Sequence, residues 1–165
     1  GYPQGRGLTG LSILYNTGFG HESTAQAIAR MWEQQLGLSI ALEGVEVKAF
    51  SERLKSHDFT IARASWFGDY RDPTTWLEKM RTGDGNNDFD DSNPAYDELL
   101  DRAAAERDPA RRMELLQQAE TLMLRDQPMA LIYQYVSVYA WDPDRVTGLT
   151  PNPWCRWRLE RVEVK

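Results

Sequence analysis

The stretch that decides the fold runs from Leu11 to Leu42 and reads LSILYNTGFGHESTAQAIARMWEQQLGLSIAL. It begins with a short apolar run, Leu11–Tyr15, which predicts a β-strand. Apolar residues then recur at helical spacing, at Ala25, Ile28, Ala29, Trp32 and Leu36. A second apolar run, Leu38–Leu42, predicts another strand. The stretch is therefore a strand–helix–strand unit, which favours an α/β fold with crossover helices.

The ends of this helix and the elements after it carry their own signals. Ser23 and Gln26 match a capping box, and Gly37 suits the left-handed position that ends a helix. A short apolar face over residues 47–54 predicts a second helix. Residues 59–66, FTIARASW, alternate between two faces as a strand does, and they predict the third strand.

Helix signals dominate the middle of the chain. Residues 74–80 predict a short helix after a polar turn. Two later helices are predicted to begin at Asn93-Pro94 and Asp108-Pro109, because each pair combines a capping side chain with a proline suited to the first turn. Pro128 is expected to end the second of these helices.

The last part of the chain differs in character. Residues 129–141 are β-prone and apolar on both faces, so they predict a long strand. Asp142-Pro143-Asp144 predicts a turn, and Trp154–Val164 predicts one more strand. We therefore expect a C-terminal β tail.

Composition limits the classes of function. The 165 residues suit one domain, and a net charge of −6 argues against a nucleic-acid partner, since phosphates require clustered Lys and Arg. The single cysteine, Cys155, excludes an internal disulfide, and His21 and His57 lie too far apart for a zinc motif. We find no catalytic motif. We therefore expect no cofactor, no metal and no enzymatic activity.

The segment from Trp66 to Pro73, WFGDYRDP, is the most informative for function. It follows the carboxyl end of a predicted strand, where open α/β sheets bind ligands. There the Asp69 carboxylate can hold an ammonium group, and Trp66 can add an aromatic wall. The alternative is an ordinary strand-to-helix loop, and spacing alone favours it. We interpret Asp72, which precedes Pro73, as structural.

Arg63 lies in the middle of the third predicted strand, between small and apolar neighbours. A buried guanidinium requires an anionic partner. That partner is either a ligand carboxylate or an internal Asp or Glu, and the residues alone favour the internal ion pair.

The loop at residues 84–91, DGNNDFDD, invites comparison with a calcium loop. An EF-hand loop requires Gly at its sixth position and Glu at its twelfth. Counted from Asp84, those positions hold Phe89 and Ala95. We therefore interpret the loop as solvated rather than metal-binding.

Several stretches resemble, in order, the C-terminal part of the family 5 extracellular solute-binding proteins, the oligopeptide- and dipeptide-binding components of ABC importers. The similarity covers nearly the whole chain, and its longest stretch includes the Trp66 segment. The matching stretches are 14–17 (LYNT), 29–37 (ARMWEQQLG), 59–77 (FTIARASWFGDYRDPTTWL), 93–97 (NPAYD) and 132–136 (IYQYV).

The resemblance implies an α/β fold, one lobe of a periplasmic-binding-protein type II-like structure, with a mixed sheet, flanking helices and a β tail. It implies that residues 1–136 form the ligand-binding lobe and that residues 137–165 return to a missing N-terminal lobe. The expected function is binding of peptides, or of a similar small solute, between two closing lobes. The expected partners are the membrane subunits of an ABC importer. The expected location is periplasmic or extracellular, with a possible lipid anchor on the missing N-terminus.

The resemblance also implies roles for individual residues. The position of Asp69 pairs with the peptide α-amino group, and Trp66 lines the pocket together with its neighbours Phe67 and Tyr70. The positions of Arg63 and His21 help to receive the peptide carboxylate in some members. Two alternatives stay open at this point, namely a sensory or chaperone-like peptide-interaction domain on the same fold, and a small hydrolase.

Overall fold

The computed structural model describes residues 2–90, 92–150, 152 and 157–165. It divides into two compact units, Gly1–Met129 and Ala130–Lys165. Each unit is described by itself below.

The first unit is built on a parallel sheet of three strands. These are β1 (Ser12–Asn16), β2 (Ala41–Val45) and β3 (Ile61–Ala62), in the order β2-β1-β3. The predicted strands exist, but β2 begins later than Leu38. The reason lies in the preceding helix, because the backbone N–H of Leu38 donates to the carbonyl oxygen of Trp32 and so helps to close that helix.

Two helices connect these strands, α1 (His21–Leu36) and α2 (Val47–Lys55). Gly37 ends α1 in the left-handed conformation at φ 66°, as predicted. The predicted capping box at Ser23 is wrong. The helix starts earlier, after Gly20 with its φ of 78°, and Gly20 offers no side chain to cap the first turn.

Strand β3 is much shorter than the predicted 59–66. Just before it, the hydroxyl of Thr60 accepts from the backbone N–H of Ser12 at 2.9 Å and lies 2.9 Å from the carbonyl oxygen of Ser12. At this position a side chain therefore takes the place of the backbone hydrogen bonds between β1 and β3. The N–H of Arg63 still donates to the carbonyl oxygen of Leu14 at 2.8 Å. Beyond Arg63 the chain leaves the sheet, which turns most of the predicted strand into a loop.

The remaining helices form a second layer with its own core. They are α3 (Thr74–Leu77), which continues as a 3-10 turn at Glu78–Met80, α4 (Pro94–Ala105) and α5 (Pro109–Asp126). Asn93 and Asp108 cap α4 and α5 through their side chains, as predicted. The buried residues of this layer are Leu77, Met80, Tyr96, Leu100, Ala103, Leu115, Leu116 and Ala119. A separate core joins α1 to the sheet through Ile13, Tyr15 and Ala25.

The second unit has little regular structure. Its strands are β4 (Val146–Thr147) and β5 (Glu163–Val164), which pair antiparallel. The turn at Asp142 is confirmed, since the carbonyl oxygen of Asp142 accepts from the N–H of Val146 at 2.9 Å. The strand predicted at 154–164 is reduced to β5 and a preceding 3-10 turn at Leu159–Arg161, and its first residues, 154–156, lie outside the described residues.

The long strand predicted at 129–141 is wrong, because this described segment contains no strand. A strand is stable only when its backbone pairs with a neighbour, and apolar, β-prone residues alone do not supply one.

The α/β fold is confirmed. The described strands form a parallel sheet and a separate antiparallel pair, rather than one mixed sheet. No helix in the described ranges is long and apolar enough to span a bilayer.

Candidate ligand-binding site

The strand order changes direction between β1 and β3. All three strands run parallel, so their carboxyl ends meet at one edge of the sheet. From β1 the chain crosses to β2 on one side, and it then returns past β1 to β3 on the other side. The carboxyl ends of β1 and β3 therefore form a switch point in the strand order, which is where open α/β sheets bind their ligands.

His21 lies on the β1 side of this switch point, as the first residue of α1. Its side chain is buried, and its Nδ1 makes no hydrogen bond among the described residues. Burial and the nearby Arg63 guanidinium both lower the pKa of His21. The imidazole lies at the N-terminus of α1, where the helix dipole favours an anion.

Arg63 lies on the β3 side, directly after the strand. It is only 5% exposed, and its charge lowers the pKa of His21. The fold thus brings a guanidinium near the N-terminus of α1, although Arg63 and His21 are far apart in sequence. Both groups favour negative charge, so this side of the switch point suits a carboxylate.

The loop after Arg63 carries the other predicted site residues. Trp66 is half-buried, and its Nε1 donates to the carbonyl oxygen of Thr75 at 2.8 Å. The Nζ of Lys79 lies 5.0 Å from the centre of the Trp66 ring, which fixes the ring by a cation–π contact. Phe67 and Tyr70 are exposed, at 70% and 47%. The loop therefore presents aromatic surface outwards from an anchored Trp66.

Asp69 is exposed on this loop, whereas its backbone is fixed. Its N–H donates to the hydroxyl of Thr75 at 2.8 Å. A carboxylate displayed from a fixed backbone is a suitable partner for an ammonium group. The chain thus offers an exposed carboxylate at Asp69 and a buried cation at Arg63, two groups of opposite charge.

Asp72 anchors the end of the loop, as predicted for a structural residue. Its carboxylate accepts hydrogen bonds from both terminal guanidinium nitrogens of Arg112 at 2.8 Å, and it also accepts one from the N–H of Thr74 at 3.1 Å. The hydrogen bonds from Arg112 hold the pKa of Asp72 well below its usual range, and those from Thr74 act in the same direction. This ion pair ties the ligand loop to α5.

The acidic loop at residues 84–90 is occupied by internal contacts. Asp88 accepts from the Nζ of Lys55 at 2.8 Å and from the Nζ of Lys79 at 2.7 Å. In the described ranges no three His, Cys, Asp or Glu side chains are grouped so that they could hold a metal ion. Asp91 of this loop and Cys155 lie outside the described residues.

Sequence reasoning missed three residues around the site, namely Thr75, Lys79 and Arg112. None belongs to a motif with a known spacing. Lys79 and Arg112 read as ordinary helix-surface cations, and only the folded structure shows that they contact Trp66 and Asp72.

Comparison with known proteins connects this site to a family. The sequence profile of the bacterial extracellular solute-binding proteins, family 5 Middle, matches residues 1–88. The oligopeptide-binding protein OppA of Bacillus subtilis (strain 168) is 35% identical over 88% of this chain and 27% of its own length. The periplasmic murein peptide-binding protein MppA of Escherichia coli (strain K12) is 35% identical over 77% of this chain and 24% of its own.

A solved structure shows the same relationship. The periplasmic oligopeptide-binding protein OppAIV of Borrelia burgdorferi superposes with a TM-score of 0.89 at 32% identity, covering 100% of this chain and 33% of that chain. This chain spans about a quarter of the length of the two curated relatives. With the family profile matching more than half of its 165 residues, the chain belongs to the family 5 bacterial extracellular solute-binding proteins.

Proposed function

We propose that this chain is one lobe of a two-lobed peptide-binding protein that serves an ABC importer. The observation that carries the proposal is the presence of two opposite chemistries on the segments that leave β1 and β3. Asp69 offers a carboxylate, while His21 and Arg63 offer an anion site at the N-terminus of α1. A peptide in its ordinary ionic form carries one ammonium and one carboxylate group, so it matches both parts.

The proposed binding mode assigns a role to each residue. Asp69 pairs with the α-amino group of the peptide, and Arg63 with His21 receives its carboxylate. Trp66, Phe67 and Tyr70 supply aromatic surface for the side chains between the two termini. The exposure of Asp69 and Phe67 supports this proposal, because a ligand between two lobes requires side chains that one lobe leaves uncovered.

The proposed mechanism is closure rather than chemistry. Residues 1–136 form the binding lobe, and residues 137–165 return to an N-terminal lobe that accompanies this one in the two-lobed protein. Ligand contacts to both lobes stabilise the closed form, and the membrane subunits of the importer recognise that form. The protein acts in the periplasm or outside the cell, with a lipid anchor on the N-terminal lobe. It catalyses no reaction.

The test uses Asp69→Asn in the two-lobed protein, which removes the charge and keeps the shape. Calorimetry with trialanine and with N-acetyl-trialanine compares a free α-amino group with a blocked one. We expect Asp69→Asn to weaken trialanine binding by about 1.5–3 kcal/mol, the scale of a charged hydrogen bond, with little effect on the acetylated peptide.

Asp90→Asn is the matched control. Asp90 is exposed on the acidic loop, where it lines a polar cavity with Lys55 and His57 and lies outside the proposed ligand loop. Its left-handed φ of 52° is one that Asn also accepts, so the substitution changes only the charge. Equal trialanine affinity in wild type and Asp69→Asn would remove the amine anchor from the proposal.

A further inference from the structure

Thr75 links the two best-placed ligand residues of the loop. It is the second residue of α3 and is only 5% exposed. Its hydroxyl accepts the backbone N–H of Asp69 at 2.8 Å, and its carbonyl oxygen accepts the indole N–H of Trp66 at 2.8 Å. One buried residue therefore holds both the proposed amine anchor and the proposed aromatic wall.

The loop backbone lies directly against this helix. A Cβ on Gly68 would lie 2.8 Å from the outer edge of the Trp76 ring and 3.0 Å from Cγ2 of Thr75, so one of these side chains would have to move. Gly68 thus permits the close approach that brings the N–H of Asp69 within reach of the Thr75 hydroxyl. The next contact along the loop is the pairing of Asp72 with Arg112.

We propose that Thr75 is a positioning residue for ligand recognition, whose hydroxyl aims the Asp69 carboxylate at the ammonium group of the ligand. This inference rests on the proposed role of Asp69. Its physical basis is that a side chain on an exposed loop is preorganised only if its backbone is fixed. The Thr75 hydroxyl supplies that fixed point, and the carboxylate itself stays uncovered.

The two bonds made by Thr75 can be separated by mutation. Thr75→Val keeps the shape and the carbonyl oxygen that holds Trp66, and it removes only the acceptor for Asp69. Trp66 should therefore keep its position, while the Asp69 carboxylate is no longer held in one orientation. A purely structural residue would instead affect every ligand alike.

The experiment measures the affinities of trialanine and N-acetyl-trialanine for the two-lobed protein by calorimetry. The variants are Thr75→Val, Thr75→Ser, which restores a hydroxyl, and Asp69→Asn. Thr121→Val is the matched control, since the Thr121 hydroxyl donates to the carbonyl oxygen of Gln117 within α5 and does not contact the loop. We expect Thr75→Val to bind trialanine about tenfold more weakly, with acetylated peptide unchanged and Thr75→Ser close to wild type.

The outcomes are distinguishable. If Asp69→Asn abolishes the preference for the free amine and Thr75→Val keeps it, the positioning role is overturned and the amine anchor stands. If wild type binds both peptides equally, or binds neither, or if Asp69→Asn keeps the preference, the amine anchor falls and the positioning role falls with it. Equal weakening of both peptides by Thr75→Val also overturns the positioning role.

A second pair of variants covers a folding defect. If Thr75→Val does not fold, Thr75→Ala is compared with Thr75→Ser, two side chains of similar size that differ by the hydroxyl. A lost amine preference in Thr75→Ala alone supports the inference. Failure of both hydroxyl-free variants to fold, with Thr75→Ser folded, shows a structural role and overturns it.

Discussion

The two units of the chain differ in how far they bury their apolar side chains. The first unit buries them completely at several positions, for example Ile13, Leu100 and Leu116, each at 1% exposure. In the second unit no described residue is buried, and Val136 and Val138 are 83% and 88% exposed. The difference shows that apolar sequence forms a core only where the same chain supplies surfaces that pack against it.

The second unit exposes several large apolar side chains, among them Val136 and Val138. Exposed apolar side chains become favourable contacts when another surface covers them. In our proposal the N-terminal lobe covers them. On this proposal the first unit is stable through its own core, whereas the packing of the second unit depends on the N-terminal lobe.

The largest expected effect comes from the core of the first unit. Leu116→Ala should destabilise the chain by about 3 kcal/mol, within the range of about 2–5 kcal/mol for buried leucines, because it removes a fully buried side chain and leaves a cavity. Val138→Ala, in the second unit, should change the free energy of unfolding by less than about 0.5 kcal/mol. Urea denaturation of the chain measures both.

Val138→Ala can also be measured in the two-lobed protein, which tests whether the second lobe covers Val138. There Val138→Ala should cost about 1 kcal/mol, if the N-terminal lobe covers Val138. Equal costs of Val138→Ala with and without the second lobe would contradict the assignment of residues 137–165 as a segment packed on that lobe.

An intermediate effect is expected at the ion pair that ties the ligand loop to α5. Asp72→Asn should cost about 1–2 kcal/mol at pH 7, since it weakens a bidentate pair whose side chains are 30% and 29% exposed. The pKa of Asp72 is lowered in the folded protein, so its contribution is complete above the usual Asp range near pH 4. The contribution is lost as the pH falls below that range.

Urea denaturation at pH 7 and at pH 3 measures this dependence. Asp144→Asn, at an exposed residue of the second unit, is the control and should have little effect at either pH. A cost for Asp72→Asn that does not shrink at the lower pH would argue against the ion pair as its source.

Sequence predicted the parts of this structure whose signals are local. Asn93 and Asp108 cap their helices, and Gly37 ends α1, because capping depends on neighbours two to four positions away. The strands were less predictable, since pairing joins residues that are distant in sequence. Residues 129–141 have strand composition without strand structure for that reason.

The candidate site divides in the same way. Its loop was predicted from the WFGDYRDP segment, which follows a strand and carries Gly68 and Asp69. The role of Thr75 was not predicted, because it depends on hydrogen bonds from a backbone N–H six residues away and from an indole nine residues away. The meeting of His21 with Arg63 depends on the strand order β2-β1-β3, which no local pattern encodes.

The smallest expected effect is a pH dependence of stability that comes from His21 in the proposed ligand site and not from His57 on the surface of the first unit. The only two histidines, His21 and His57, both lie in this unit, so any histidine-dependent change in stability reports on it alone. The folded-state pKa of His21 is lowered, which means that the unfolded chain binds more protons just below pH 6.5. Stability should therefore fall as the pH drops below about 6.5, with a slope of at most about 1.4 kcal/mol per pH unit for one proton.

His21→Gln should remove this slope between pH 7 and pH 5, while His57→Asn, at an exposed residue with a φ of 54° that Asn accepts, should leave it in place. Denaturation midpoints of the three proteins across this range measure the difference. A bound carboxylate would favour the protonated imidazole, so trialanine binding to the two-lobed protein should take up protons within this range of pH. Calorimetry in buffers of different ionisation enthalpy detects that uptake, and its persistence in His21→Gln would assign the proton to another group and separate His21 from the carboxylate site.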